Sequence, residues 1–151
     1  LPHFARRLKN AGVSALVLFN RFYQMDINPE KMELVPGYQF STPQEVYTSL
    51  RWISILSGQI ECDFAASTGV HDGITAVKLI LAGASVVQVC SILYKKGIGE
   101  LQNILKGIES WMEKKGFDAI PDFQGKLSQI SSEHPEAYER LQYVKALTGI
   151  S

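Results

Sequence analysis

The sequence predicts an α/β fold built on a parallel sheet. Three observations predict it. Apolar runs of strand length stand at Ala15–Phe19, Cys62–Ala66 and Val86–Val89, stretches of helical period separate them, and Gly or Pro falls at the joints. Repeated strand–helix units take right-handed crossovers, the organisation of an open α/β sheet or of a barrel. At 151 residues the chain is large enough to bury a core, yet short of the roughly 200–250 residues of a closed eight-stranded barrel. Three strands cannot close such a barrel, so the expectation is a segment of a longer chain or an open sheet. No internal linker divides it.

Each element has its own signal. Leu1 to Asn10 is amphipathic, with Phe4 and Leu8 on one side and Arg6, Arg7 and Lys9 largely on the other, and Asn10-Ala-Gly12 marks its stop. Ala15-Leu-Val-Leu-Phe19 is continuously apolar, as in a strand covered on both faces. Pro29, Pro36 and Gly37 break the pattern that follows, so 21–40 reads as an irregular excursion with short extended pieces near Met32–Val35 and Tyr38–Phe40. Ser41 or Thr42 caps the next helix, Pro43 and Glu45 suit its first turn, and Val46, Leu50, Ile53 and Leu56 face inward up to a stop at Gly58. After the second strand, Ser67-Thr-Gly-Val-His-Asp-Gly73 turns into a helix over Ile74–Leu81, closed by Ala82-Gly-Ala84. The third strand leads into a short helix over Cys90–Lys95, and Gly97-Ile-Gly99 separates that from a longer helix ending near Lys115. A helical tail is expected over 128–151, with its last helix from Pro135 to Leu147.

Composition narrows the function. Fifteen basic residues balance fifteen acidic ones, which gives no field to attract nucleic acid. No apolar run reaches the 18 or more residues of a membrane span, and no leader pattern is present. The expected setting is cytoplasmic. Cys62 and Cys90 are too few for a disulfide scaffold, and His3, His71 and His134 lack metal-ligand spacing, so no metal is expected.

The candidate site lies in the turns that follow the strands. Gly69 permits close backbone approach, Ser67 and Thr68 offer hydroxyls, and helices starting near Asp72 and Cys90-Ser91 present backbone amides suited to a phosphate; ordinary turns and caps remain the alternative. Asn20 directly follows a strand, where its amide suits a flat polar ligand or ties down the next loop. Arg21 and Arg51 suit a carboxylate, or pair with Glu30, Glu33 or Glu45. Lys95 and Lys96 read as a solvated helix end, His71 as exposed beside Asp72, and Trp52, Trp111 and Met112 as packing residues. Cys90 has no histidine partner in the sequence, so packing is its reading, with its backbone amide near a ligand.

The segments Leu16-Val-Leu-Phe-Asn-Arg-Phe-Tyr23, Ser67-Thr-Gly-Val-His-Asp-Gly73 and Gln88-Val-Cys-Ser-Ile-Leu-Tyr-Lys-Lys-Gly97 resemble the last third to half of dihydroorotate dehydrogenase-like proteins. The resemblance covers most of Leu1 to Leu127. It implies a partial TIM (β/α)8 barrel, with the three strands as the sixth, seventh and eighth. It also implies FMN as cofactor and oxidation of dihydroorotate to orotate in pyrimidine synthesis by the intact parent. Residue by residue, Asn20 matches the substrate-binding asparagine, Gly69 and Val70 the seventh-strand phosphate turn, and Cys90 and Ser91 the eighth-strand phosphate turn. Thr68 stands where relatives commonly have a further glycine, and 21–40 departs from their short glycine-rich segment. The catalytic base of the family precedes these strands, so no residue here is assigned that role. The electron acceptor is left unknown among fumarate, nicotinamide and a quinone, and a homo-oligomer is left open. Another FMN- or phosphate-ligand barrel enzyme, or a non-catalytic α/β binding module, is the alternative.

Overall fold

The computed structural model describes residues 1–22, 24–37 and 39–138. Helix α1 (Pro2–Asn10) leads into β1 (Ala15–Leu18), and β2 (Gln24–Asn28) and β3 (Glu33–Gly37) follow as a hairpin. Then come α2 (Val46–Leu56), β4 (Asp63–Ala66), α3 (Gly73–Ala82), β5 (Val86–Val87), α4 (Ser91–Lys96) and α5 (Glu100–Lys115). Strands β1, β4 and β5 form a parallel sheet in that order, with Leu16 opposite Phe64, Leu18 opposite Ala66, and Ala66 opposite Val87. The sheet is open: its strands do not close on one another.

Alternation along the strands decides where the core sits. Leu18, Phe64 and Ala66 are buried against Val46, Ile53 and Leu56 of α2 and against Ala76, Leu79 and Ala82 of α3. The next row across the sheet, Val17, Ala65 and Val86, lies on the other face, where Val17 and Val86 are half exposed. The expected cover on both faces of β1 is therefore present on one face only among the described residues. In α1 the inward residue is Ala5, with Phe4 exposed, because the helix turns a narrower stripe to the core than its pattern suggests.

The helices stop where backbone chemistry stops them. Gly83 closes α3 and Gly116 closes α5, both in left-handed conformation. Helix α2 starts later than predicted: Pro43–Glu45 is a tighter 3-10 turn, and Thr42, rather than Ser41, sits at its cap with its N–H donating to Glu45 Oε2 at 2.5 Å. Helices α3 and α5 touch backbone to backbone, since a Cβ on Gly73 would lie 2.6 Å from the Ile104 carbonyl and 2.8 Å from Gly107 Cα.

A second cluster completes the packing. Phe123, fully buried beyond α5, meets Val77 and Ile80 and tilts against Trp111 at 5.0 Å between ring centroids. Gly125 and Leu127 N–H groups donate to the Ile80 and Leu81 carbonyls and fasten this segment to α3. The strand predicted over Val86–Val89 is shorter, although the Gln88 N–H still reaches the Ala66 carbonyl at 2.8 Å.

The excursion over 21–40 is more regular than its breakers suggest. Gln24–Asn28 pairs antiparallel with Glu33–Gly37, and Asn28 Oδ1 accepts from Glu30 and Lys31 at the turn. Of the extended piece expected over Tyr38–Phe40, Gln39 and Phe40 form no strand, and Tyr38 lies outside the described residues. Among those residues the helix expected from Pro135 has only its first turn, near Tyr138, and the rest of that expectation lies outside them. No helix among the described residues is long and apolar enough to cross a membrane.

Candidate functional site

The carboxyl ends of β1, β4 and β5 lie side by side, so the turns that leave them meet at one edge of the sheet, where α/β proteins collect their ligands. A cavity of about 260 Å³ opens there. Asn20 from the first turn, Gly69 and Val70 from the second, and Cys90 and Ser91 from the third all line it. Its volume is below the roughly 300–1,000 Å³ of a complete small-molecule site, which suits one end of a cofactor rather than the whole.

The walls present donors. Among the described residues no hydrogen bond occupies the backbone N–H groups of Gly69, Val70, Cys90 or Ser91, and no carboxylate lines the cavity. Asp72 is engaged elsewhere: its Oδ1 accepts from Thr75 N–H at 2.7 Å and caps α3. That cap places a negative charge at the α3 start, so the amides of the Gly69–Val70 turn, not the helix terminus, are what this turn offers an anion. Val70 buries its side chain in the core and shows the cavity mainly backbone.

Gly69 is required by the fold as well. Its φ is +82°, and a Cβ would lie 2.3 Å from the Val46 nitrogen at the start of α2. Thr68 beside it is also left-handed, at φ +76°, with Oγ1 donating to the Phe19 carbonyl at 3.0 Å. The threonine is thus accommodated by turning its side chain toward the β1 exit. Cys90, expected to pack, is instead an exposed free thiol, because the turn after β5 opens toward the cavity, and Cys62, just before β4, donates from Sγ to the Ser14 carbonyl.

The return of the excursion builds the remaining wall. Arg21 Nε donates to Glu45 Oε1 at 2.8 Å, and its Nη1 donates to the Gln39 carbonyl. Of its predicted partners the guanidinium takes Glu45. Burial acts to raise the Glu45 carboxyl, but hydrogen bonds from Thr42 and Arg21 outweigh it and hold the group below its ordinary range. Arg51 instead lies over the Trp52 ring at 5.9 Å.

Three further residues differ from their predicted surroundings. His71 is half buried, with Nε2 3.2 Å from Ser41 Oγ. Burial, and next the nearby Lys95 charge, hold its imidazole below the ordinary value, against the opposing pull of Ser41, Asp72 and Glu45. Lys95 is no purely solvated helix end, since its Nζ donates to the Ser41 carbonyl at 3.2 Å and lies 5.8 Å from the Phe40 ring centroid. Ser41 is the site residue that sequence patterning identified only as a cap: it is 4% exposed and hydrogen-bonds Ser91 from both its N–H and its hydroxyl.

A second cavity, of about 430 Å³ and mostly apolar, adjoins the first and shares Asn20, Arg21 and Thr68 with it. Phe19, Phe22 and Trp52 contribute its apolar wall. Asn20 is therefore exposed between a donor-rich cavity and an apolar one. Among the described residues no cluster of His, Cys, Asp and Glu is arranged to hold a metal.

Similar proteins are found by sequence and by fold. No protein-family model matches the chain. Dihydroorotate dehydrogenase A (fumarate) of Lactococcus lactis subsp. lactis is 34% identical over 70 residues, which cover 46% of this chain and 22% of that protein. The catalytic subunit of dihydroorotate dehydrogenase B (NAD(+)) from Pyrococcus furiosus is 28% identical over 91 residues, covering 60% of this chain and 30% of that one. The crystal structure of ligand-free DHODH from Eimeria tenella superposes with a TM-score of 0.65 at 21% identity, over 82% of this chain and 35% of that chain. The chain is thus similar in sequence and in fold to part of each of these proteins, and it spans about a fifth to a third of their length.

Proposed function

We propose that this chain is the C-terminal segment of an FMN-dependent barrel oxidoreductase that oxidises dihydroorotate to orotate. One observation carries the reading: Asn20, Gly69, Val70, Cys90 and Ser91, matched to a cofactor and substrate site from sequence alone, line a single cavity at the carboxyl end of the sheet. The chemistry of that cavity fits a phosphate, with backbone donors and Ser91 on its walls and no competing carboxylate. The half-exposed Val17 and Val86 fit the same reading, as residues that face the interior of a barrel whose other strands lie outside this chain.

When bound, FMN supplies the acceptor for the substrate hydride. The chain's own residues bind and orient. The turns at Gly69–Val70 and Cys90–Ser91 would hold the phosphate through backbone N–H groups. Asn20 offers both a donor and an acceptor to the substrate ring at the junction of the two cavities. The Arg21 contacts to Glu45 and Gln39 fasten the residue next to Asn20 and hold the loop that forms the facing wall.

The intact parent, loaded with FMN, is tested by its anaerobic flavin absorbance before and after dihydroorotate. Bleaching of the oxidised flavin is expected. An oxidised spectrum that persists at saturating dihydroorotate would remove the substrate assignment while leaving the cofactor assignment in place.

A further inference from the structure

Ser41 reaches the α4 turn twice. Its backbone N–H donates to Ser91 Oγ at 3.0 Å, and its hydroxyl donates to the same oxygen at 2.9 Å. A hydroxyl oxygen has two lone pairs and one proton. Ser91 Oγ accepts twice in this arrangement and retains only its own proton to give, on a residue that lines the cavity. With the Ser41 hydroxyl donating to Ser91, the contact with His71 Nε2 at 3.2 Å is completed by an imidazole that donates. That arrangement uses the Nε2–H tautomer.

We propose that His71, Ser41 and Ser91 form a hydrogen-bond relay that aims the Ser91 hydroxyl proton at a phosphate oxygen of the bound flavin. Ser41 and His71 are then positioning residues, acting on the cofactor through Ser91. The inference rests on the FMN reading above and concerns how the phosphate end is recognised. A fully ionised phosphate oxygen accepts hydrogen bonds and donates none, so only a relay running toward the cavity serves it. Successive donors aligned in one direction polarise one another, which strengthens the last bond of the series. Ser41 is buried at 4% exposure, leaving little room for water to compete for its hydroxyl. Lys95 donates to the Ser41 carbonyl and holds that peptide in place from its far side.

FMN and riboflavin, which lacks the phosphate, distinguish this relay from a packing role when each is titrated into the intact parent and followed by flavin fluorescence. Ser41→Ala is expected to weaken FMN severalfold, because Ser91 keeps its bond to the phosphate but loses the donor that orients and polarises it, with riboflavin affinity unchanged. His71→Phe is expected to act in the same direction, and His71→Gln, which keeps an N–H donor near the Nε2 position, to restore FMN affinity. Because the relay has one exit, Ser41→Ala combined with Ser91→Ala should bind FMN no more weakly than Ser91→Ala alone. A preference for FMN undiminished in Ser41→Ala, or a loss of both flavins alike in Ser41→Ala and His71→Phe, would overturn the relay alone. A wild-type protein that binds riboflavin as tightly as FMN would overturn the phosphate reading and the relay together.

Discussion

At Gly69 a left-handed backbone coincides with close packing against the start of α2, so two separate costs fall on any side chain there. Gly69→Ala is expected to destabilise the protein by about 2 kcal/mol or more, since the left-handed conformation alone costs roughly 1–2 kcal/mol and Val46 must also move. Thermal denaturation checks this, and an unchanged Tm would contradict it. Glu45 carries a different prediction. Burial works to raise its carboxyl, Thr42 and Arg21 together lower it by more, and the net shift is downward. The sign follows: the folded state prefers the charged form, so the contribution is present above the unfolded carboxylate pKa and is lost as pH falls through the folded one. Glu45→Gln is expected to cost up to about 1 kcal/mol at neutral pH, as for a partly exposed ion pair, and the gap should narrow in acid. Urea denaturation at stepped pH reads the gap, and a constant gap would show that the charge is not its source.

The strands and helices that frame the site were legible in the sequence because each satisfies a period. The apolar run of β1, the inward Val46, Ile53 and Leu56 of α2 and the glycine stop of α3 all follow from local pattern. The hairpin was obscured although its signal was present: Gln24-Met-Asp-Ile-Asn28 alternates polar and apolar residues, but Pro29 and Pro36 read as breakers. Pro36 is tolerated because β2 and β3 form a sheet with no third strand, so a missing donor can face outward. Phe123 had no period to reveal it, lying just past a 3-10 turn, yet it closes the second core cluster. Phe123→Ala is expected to cost about 3–5 kcal/mol, because Trp111, Phe117, Val77 and Ile80 would border the resulting cavity. A loss under about 1 kcal/mol by denaturant titration would show that the cluster collapses to fill it.

Across the whole molecule, the five site residues run from position 20 to position 91 and still line one cavity. Parallel topology explains why these proposed residues meet: every strand exits at the same edge, so the turns that follow the strands arrive at the same place. Ser41 and His71 were not legible as a pair, since their meeting depends on where the hairpin returns, which local pattern does not specify. The bare row of Val17 and Val86 belongs to this scale as well. A site assembled on one side of an open sheet leaves its remaining chemistry to other parts of the proposed barrel, and the purified 151-residue chain is accordingly expected to show no dihydroorotate turnover. Flavin reduction by that chain alone would defeat this expectation. Finally, the excursion begins and ends at one guanidinium, for Arg21 itself binds the Gln39 carbonyl 18 positions later. The hairpin is in that sense a closed insert, and halving or doubling such a loop changes its closure entropy by only about 0.6 kcal/mol. Length variation in this segment is thus nearly free for evolution to explore, provided that the two anchoring ends are kept.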